Sequence, residues 1–470
     1  MNWQAVIDVA AWFYLVYFAA FGACNLLLNA CSLFELPRQL EAGLPGLLPR
    51  PHERYEPPVS VIMPAFNEEA TIAAAVGSIL QLEYPELEVI VVNDGSGDGT
   101  LEALTREYSL VPFPEAYRRQ IECEPVHAVY RSTTHPNLRV IDKDNGGKSD
   151  ASNAGINAAR YPLVCIVDAD SILERGSLRQ VVLPLLTEPH TIAAGGCVRI
   201  VNGCEVRGGL LEKIGLPRQF LPLAQVVEYL RGFLFGRLGW APMNAVPIVS
   251  GAFGVFRRQA VIDAGGYLRD TLGEDMELIL RMHRVNRLAG RPYRIAFLVN
   301  PVCWTDAPDS PGELRGQRIR WQRGLGESLM HNRGLLFHPR GGAAGWLMFP
   351  FMVLFELLGP VVELSGYVFM IAGFAFGFIS AAAFWSFMLL AISIGALLSI
   401  SALLLEEISC QTYRRPGNLF KLICMAIAEN FGYHQIVLAW RLEGFYQWAT
   451  SAPAKWGVMK RSGSLRDTRR

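Results

Sequence analysis

The 470-residue sequence has no net charge, lysine plus arginine and aspartate plus glutamate each numbering 43. A nucleic-acid binder normally carries a clustered basic excess, so nucleic acid is set aside as a partner. Its nine cysteines form no CxxC pair and show no regular spacing, which excludes the common zinc sites and a disulfide framework. Several of them (Cys24, Cys31, Cys165, Cys424) fall within apolar runs and read as small buried residues. The first apolar stretch also lacks a basic start and a clear small-residue cleavage site, so it reads as an anchor and not as a removed signal peptide.

Apolar residues are abundant, at 51% of the chain, and they concentrate toward its two ends. Residues from about Val6 to Phe34 are almost uncharged and exceed the roughly 20 residues that a span requires. No lysine or arginine precedes this stretch, whereas Arg38, Arg50 and Arg54 follow it. The positive-inside rule then puts the next segment in the cytosol. A second apolar block runs from near Trp346 to about Leu405, with a turn expected at Phe378-Ile379-Ser380 and a break or kink at Gly359-Pro360. Glu356 and Glu363 fall inside it. Carboxylates at membrane depth are costly and face protein or a watery path; a helix lying flat at the interface is the alternative. The stretch Leu419 to Trp448 is interrupted by Glu429, Asn430, His434 and Arg441, and reads as a span, a re-entrant piece or an interfacial helix. The expected organisation is an anchor at 1–36, a cytosolic domain at 57–330, membrane and interfacial helices at 345–450, and a basic cytosolic tail at 451–470. Three spans are expected, with a fourth and fifth open.

Between the membrane blocks, short β-branched runs alternate with helical ones. Val59 to Met63, Leu87 to Val92, Leu138 to Ile141 and Leu163 to Val167 read as strands covered on both faces. Helices fit Glu68 to Leu82 and Ser149 to Ala159, giving a mostly parallel α/β sheet whose ligands sit beyond the carboxyl ends of its strands. The residues found there are polar: Pro64-Ala65-Phe66-Asn67-Glu68-Glu69, then Asn93-Asp94-Gly95-Ser96, then Asp168-Ala169-Asp170. In extended backbone Asp168 and Asp170 point the same way, and a hard cation relieves the repulsion between them. A helix cap from Ser171 onward is the plainer account of that pair taken alone. Lys148 lies at a glycine-rich turn entering a helix, where a phosphate could be held. Ser250-Gly251 follows an apolar run, Val246 to Val249, read as a further strand. The amphipathic run Gln225 to Gly239 fits either a membrane surface or a protein core.

In this order and at these separations, the motifs resemble the family 2 glycosyltransferases with a GT-A fold. Within that family they are similar to the processive cellulose, hyaluronan, chitin and poly-N-acetylglucosamine synthases. The matching residues are Pro64 through Glu69, Asn93 through Ser96, Lys148 with Asn153, Asp168-Ala169-Asp170, Gly273-Glu274-Asp275, and Gln317-Arg318-Ile319-Arg320-Trp321, which has the Q-x-x-R-W form. The resemblance implies an α/β GT-A cytosolic domain with transmembrane helices at both ends. It further implies a UDP-sugar donor, with UDP-N-acetylglucosamine ahead of UDP-glucose, a polysaccharide acceptor, a surrounding lipid bilayer, and Mg²⁺ or Mn²⁺ as cofactor.

By the same resemblance, Pro64, Asn67, Glu68, Asp94, Lys148, Asn153, Asp168 and Glu274 belong to substrate binding, Asp94 at the uracil ring. Ser250 and Gly251 match an acceptor-site motif. Asp170 would hold the metal, Asp275 matches the general base, and Gln317, Arg320 and Trp321 match residues closing over diphosphate and acceptor. The chain departs from the family at Gly273, where threonine is common, and at Asp306, where many relatives have glutamate. Single-sugar transfer to a lipid phosphate carrier, a transporter and an inactive scaffold are the competing readings.

Overall fold

The computed structural model describes residues 3–42, 56–207 and 209–452. Arg50, Arg54 and the basic tail residues Lys460, Arg461, Arg466, Arg469 and Arg470 lie outside them. In chain order the strands are β1 (Val59–Ala65), β2 (Leu87–Asp94), β3 (Leu110–Pro112), β4 (Val126–Ser132), β5 (Leu138–Lys143), β6 (Leu163–Val167), β7 (Ser171–Leu173), β8 (Thr191–Ile200), β9 (Glu205–Arg207), β10 (Leu210–Lys213), β11 (Phe253–Arg257) and β12 (Arg294–Thr305). Ten of them form one sheet in the order β3-β4-β5-β2-β1-β6-β11-β8-β12-β7.

The strands β5, β2, β1 and β6 are parallel, as their uninterrupted apolar runs predict. The sheet as a whole is mixed, because β11 runs antiparallel to both β6 and β8. The chain enters β11 through Ser250–Ala252, so Phe253 pairs with Val167 and the entering loop lies beside the end of β6. Strands β1, β2 and β5 each run two residues past their apolar core, so Asp94 closes its strand. Residues Val246 to Val249 form no strand. Pro247 lacks a ladder donor, and Val249 instead lies flat on the sheet, over Gly195 and Gly254, where an added Cβ would come within 2.7 and 2.5 Å of it.

The first helix after β1 spans Ile72–Leu80, shorter than the Glu68 to Leu82 expected. Asn67 takes a left-handed conformation (φ 56°), and Thr71 and Ile72 N–H groups close a turn on the Glu68 carbonyl. The helix Lys148–Ala158 presses against β1 so closely that a Cβ at Gly155 would meet Ile62 at 2.3 Å. The helix Phe220–Leu234, covering much of the Gln225 to Gly239 run, packs between β8 and the apolar helices Ala381–Ser409 and Pro416–Ala428. It is therefore buried on two sides.

Helices long and apolar enough to cross a membrane occur at both ends, Ile7–Leu40 and Ala381–Ser409. Two bent pairs also pass that test: Ala344–Leu357 with Gly359–Ala375, bent by 45°, and Pro416–Ala428 with Tyr433–Ala449, bent by 58°. Large apolar side chains such as Trp12, Phe34, Val368 and Leu389 lie more than half exposed, a surface that suits lipid. The first bend falls at Gly359-Pro360, and polar side chains answer for the carbonyls it frees. Gln322 donates to the carbonyls of Glu356 (3.1 Å) and Leu357 (3.2 Å), and Arg441 donates to that of Glu356 (2.7 Å). The carboxylates expected at membrane depth are paired, Glu356 with Arg441 (3.1 Å) and Glu363 with His434 (2.6 Å). On the sheet side, a buried ion pair between Arg199 of β8 and Glu406 fastens Ala381–Ser409 to the α/β domain.

Candidate active site

A cavity of about 1350 Å³ opens along the carboxyl ends of β1, β2 and β6 and the loop entering β11. Every site residue named from the sequence lines it except Asn153. The amide of Asn153 is buried and bonds the backbone of Tyr267 at both ends, donating to its carbonyl at 2.9 Å and accepting from its N–H at 2.8 Å. Its place is that of a clamp between two segments, away from the ligand space.

At the β1–β2 end, Asn67 Oδ1 accepts from the Gly97 N–H (2.8 Å), tying the two strand-end loops together. Thr71 donates to Glu68 Oε2 at 2.7 Å. Asp94 is nearly inaccessible and collects four donors: Lys143 Nζ (2.6 Å), the Gly147 N–H (2.7 Å), the Gly146 N–H (3.1 Å) and Asn145 Nδ2 (3.3 Å). This changes the expectation for the glycine-rich turn. Its amides close on Asp94 and are not held open for a phosphate. Lys143, invisible as a site residue in the sequence, is fully buried and also bridges to Asp150 at 2.7 Å.

The centre of the site is a carboxylate cluster around one ammonium. Lys148 opens its helix, and its Nζ lies 2.6 Å from Asp168 Oδ1, 3.6 Å from Glu274 Oε1 and 3.5 Å from the Gly251 carbonyl. Burial alone would pull the Lys148 ammonium down, but Asp168, Glu274 and Asp275 outweigh it and hold it above the usual lysine range. Burial pushes the Glu274 carboxyl up, Lys148 opposes it, and Asp275 adds to it. Asp275 stands in the first turn of the helix Glu274–Ala289, accepting from Gly251 N–H (3.0 Å) on Oδ2 and from Met276 N–H (2.8 Å) on Oδ1. The fit at Gly251 is close, since a Cβ there would lie 3.0 Å from Lys148 Nζ and 3.3 Å from Asp275 Oδ2, and both side-chain ends would have to shift to admit it.

Asp168 and Asp170 do not alternate along an extended strand. The Ser171 N–H bonds to the Asp168 carbonyl at 3.1 Å and closes a turn, after which β7 begins directly. Both carboxylates still line the one cavity. No group of three or more metal-ligating side chains converges among the described residues. Two carboxylates at a strand end nonetheless fit Mg²⁺ or Mn²⁺, ions commonly held by one or two carboxylates with the remaining positions left to phosphate oxygens and water.

The far wall comes from the helix Pro311–His331, which carries Gln317, Arg320 and Trp321 onto the cavity. Gln317 Oε1 is buried with no hydrogen-bond partner among the described residues, an acceptor available to a ligand hydroxyl or N–H. Trp321 is 44% exposed, and the Arg318 guanidinium stands 4.4 Å from its ring centre. Arg318 is in turn held by Glu228 (2.7 Å), which also accepts from the Tyr433 hydroxyl (2.9 Å). Beyond Trp321 the cavity reaches Met352, Glu356, His434 and Arg441 of the apolar helices.

Two family models match in succession, glycosyl transferase family 2 over residues 60–120 and glycosyltransferase like family 2 over residues 122–324. The chain belongs to the family 2 glycosyltransferases, an enzyme family, and its α/β domain has the GT-A fold. Among curated relatives, the poly-beta-1,6-N-acetyl-D-glucosamine synthase of Staphylococcus epidermidis is 27% identical over 282 residues, 60% of this chain and 57% of the relative. The synthase of that name from Staphylococcus aureus strain COL is 27% identical over 275 residues, 58% and 56% of the two chains. The chain thus matches little more than half the length of these relatives. Among solved structures, the mannosyltransferase PcManGT from Pyrobaculum calidifontis, in complex with GDP-Man and Mn²⁺, is 20% identical with a TM-score of 0.49, covering 88% of this chain and 99% of that one.

Proposed function

We propose that this protein is a membrane-embedded, inverting glycosyltransferase that extends a β-linked polysaccharide from a UDP-sugar, UDP-N-acetylglucosamine first and UDP-glucose second. One observation carries the reading. Residues of a donor site, a base and the Q-x-x-R-W helix line a single cavity that continues to polar residues of the apolar helices. The likeness to poly-beta-1,6-N-acetyl-D-glucosamine synthases supports polysaccharide as product.

In this reading the donor lies along the ends of β1, β2 and β6. Asp94 holds the 145–147 loop beside the base, and Lys148 and Asp168 face the sugar and diphosphate. Asp170, with Asp168, would hold Mg²⁺ or Mn²⁺, which when bound neutralises charge on the diphosphate. Asp275 takes the proton from an acceptor hydroxyl, whose oxygen attacks the anomeric carbon as UDP departs, so no covalent enzyme intermediate is needed. Arg320 stabilises the departing charge, and Trp321 gives the acceptor a flat stacking face. The domain within residues 57–330 lies in the cytosol of a multi-pass cell-membrane protein, and the product leaves past Glu356, His434 and Arg441.

The test is a panel of radiolabelled UDP-sugars given to the purified protein in detergent or liposomes with Mg²⁺ or Mn²⁺. High-molecular-weight product from one donor is expected. A short lipid-linked product would replace polymer synthesis by single-sugar transfer, and no turnover of any donor would favour an inactive scaffold.

A further inference from the structure

We propose that Arg237 positions the acceptor sugar beside Asp275, its guanidinium donating to an oxygen of that sugar. The inference rests on the glycosyltransferase reading above and adds a residue that no motif of the chain marks.

Arg237 follows the helix Phe220–Leu234 and lines the cavity with Phe233, Val198, Ile248, Gly251 and Asp275. Three other arginines on the cavity wall each have a carboxylate: Arg231 with Glu429 (2.7 Å), Arg318 with Glu228 (2.7 Å) and Arg441 with Glu356 (3.1 Å). Arg237 differs from these. Among the described residues its side chain makes no ion pair or hydrogen bond, and its Nη1 is buried without a partner. What it has is the ring of Phe233, 3.7 Å from the guanidinium carbon. That stack fixes the plane of the fork and leaves its in-plane donors unused. Burial pulls the group down to about 10, with Asp275 acting in the opposite sense. A buried cation in this state is costly, and a ligand offering oxygen lone pairs removes that cost.

The order of the sheet says which ligand arrives there. The nucleotide end is at β1 and β2, Asp168 and Asp170 stand at the end of β6, and β11 and β8 follow on the far side. Arg237 stands on that far side, close enough to Cys197 of β8 and to Asp275 for its charge to act on both. A donor held at β1, β2 and β6 places its transferable sugar near Asp168, so the oxygen that reaches Arg237 belongs to the sugar approaching Asp275. A hydroxyl, an acetamido carbonyl or a carboxylate would each satisfy the fork.

The experiment uses the full-length protein in detergent with the donor that the wild type polymerises, comparing Arg237→Ala and Arg237→Lys. Elongation is expected to fall roughly 10- to 100-fold in both, the scale of one lost charged hydrogen bond. The apparent acceptor KM should rise while the donor KM stays put, and a larger fraction of UDP should be released to water without chain growth. Added guanidinium ion should restore part of the elongation in Arg237→Ala and none in Arg237→Lys. Unchanged elongation, or a donor KM rising in step with the loss, would overturn the assignment. So would a fall in melting temperature that accounts for the whole loss in both variants. A wild type that polymerises no UDP-sugar would overturn the functional reading itself, and this inference with it.

Discussion

Asp275→Asn separates chemistry from support at one residue. In the wild-type side chain one oxygen accepts the Gly251 N–H at 3.0 Å and the other the Met276 N–H at 2.8 Å. Asparagine has a single acceptor oxygen, so one of those N–H groups loses its partner, at a cost of about 1–3 kcal/mol. Removing the negative charge relieves repulsion with Glu274 but also removes attraction to the Lys148 ammonium, so the two changes oppose each other and the net loss stays within about 1–3 kcal/mol. The rate effect is larger. Losing a general base costs roughly 10²- to 10⁴-fold, equivalent to about 3–5 kcal/mol of barrier. Thermal melting in detergent reads the first effect and polymer formation from labelled donor reads the second. A folded variant retaining activity within about tenfold of wild type would refute the base assignment. A loss matched by weaker donor binding would move Asp275 into the donor site.

Chelation with EDTA is expected to abolish transfer and added Mn²⁺ or Mg²⁺ to restore it, with Asp170→Asn needing far more metal; activity indifferent to EDTA would remove Asp170 from a metal role. His283 is fully buried, with Nε2 on the Val246 carbonyl (2.9 Å) and Nδ1 on the Tyr293 hydroxyl (2.6 Å), and burial pulls it down to about 4. Because the unfolded chain binds this proton more readily, the stability is whole above about pH 6.5 and is lost as pH falls toward 4, by roughly 3 kcal/mol. Melting followed across that window should show the slope, and His283→Gln should flatten it. Asn153→Ala should destabilise by about 1–3 kcal/mol through the two lost Tyr267 bonds, with donor KM unmoved; a raised donor KM at unchanged melting temperature would return Asn153 to the binding site.

Much of the site was legible because each motif stands next to its strand. The apolar runs of β1, β2, β5 and β6 alternate with helical segments, so the polar residues after them had to meet at one edge. The strand ends were harder to read. Asp94 and Lys143 continue their ladders although they are charged, because each neutralises the other inside the sheet edge. The run Val246 to Val249 looked like a strand by composition, yet its apolar side chains serve equally well lying flat on a sheet face. No periodicity separates those outcomes at four residues.

Local chemistry along the chain determined the helices apolar enough to cross a membrane, the parallel strands, the acidic motifs and the family to which they belong, because each depends on neighbours within a few residues. Only the tertiary structure decided that β11 turns antiparallel and sets Gly251 against Lys148 and Asp275, and that Asn153 is a clamp. The same holds for Asp94 closing the glycine-rich turn, and for Arg237 facing the cavity with no ion pair among the described residues. Those facts depend on which partner reaches a charged or polar group across long stretches of chain. Pairing of that kind is settled by packing and desolvation, on which the order of residues is silent.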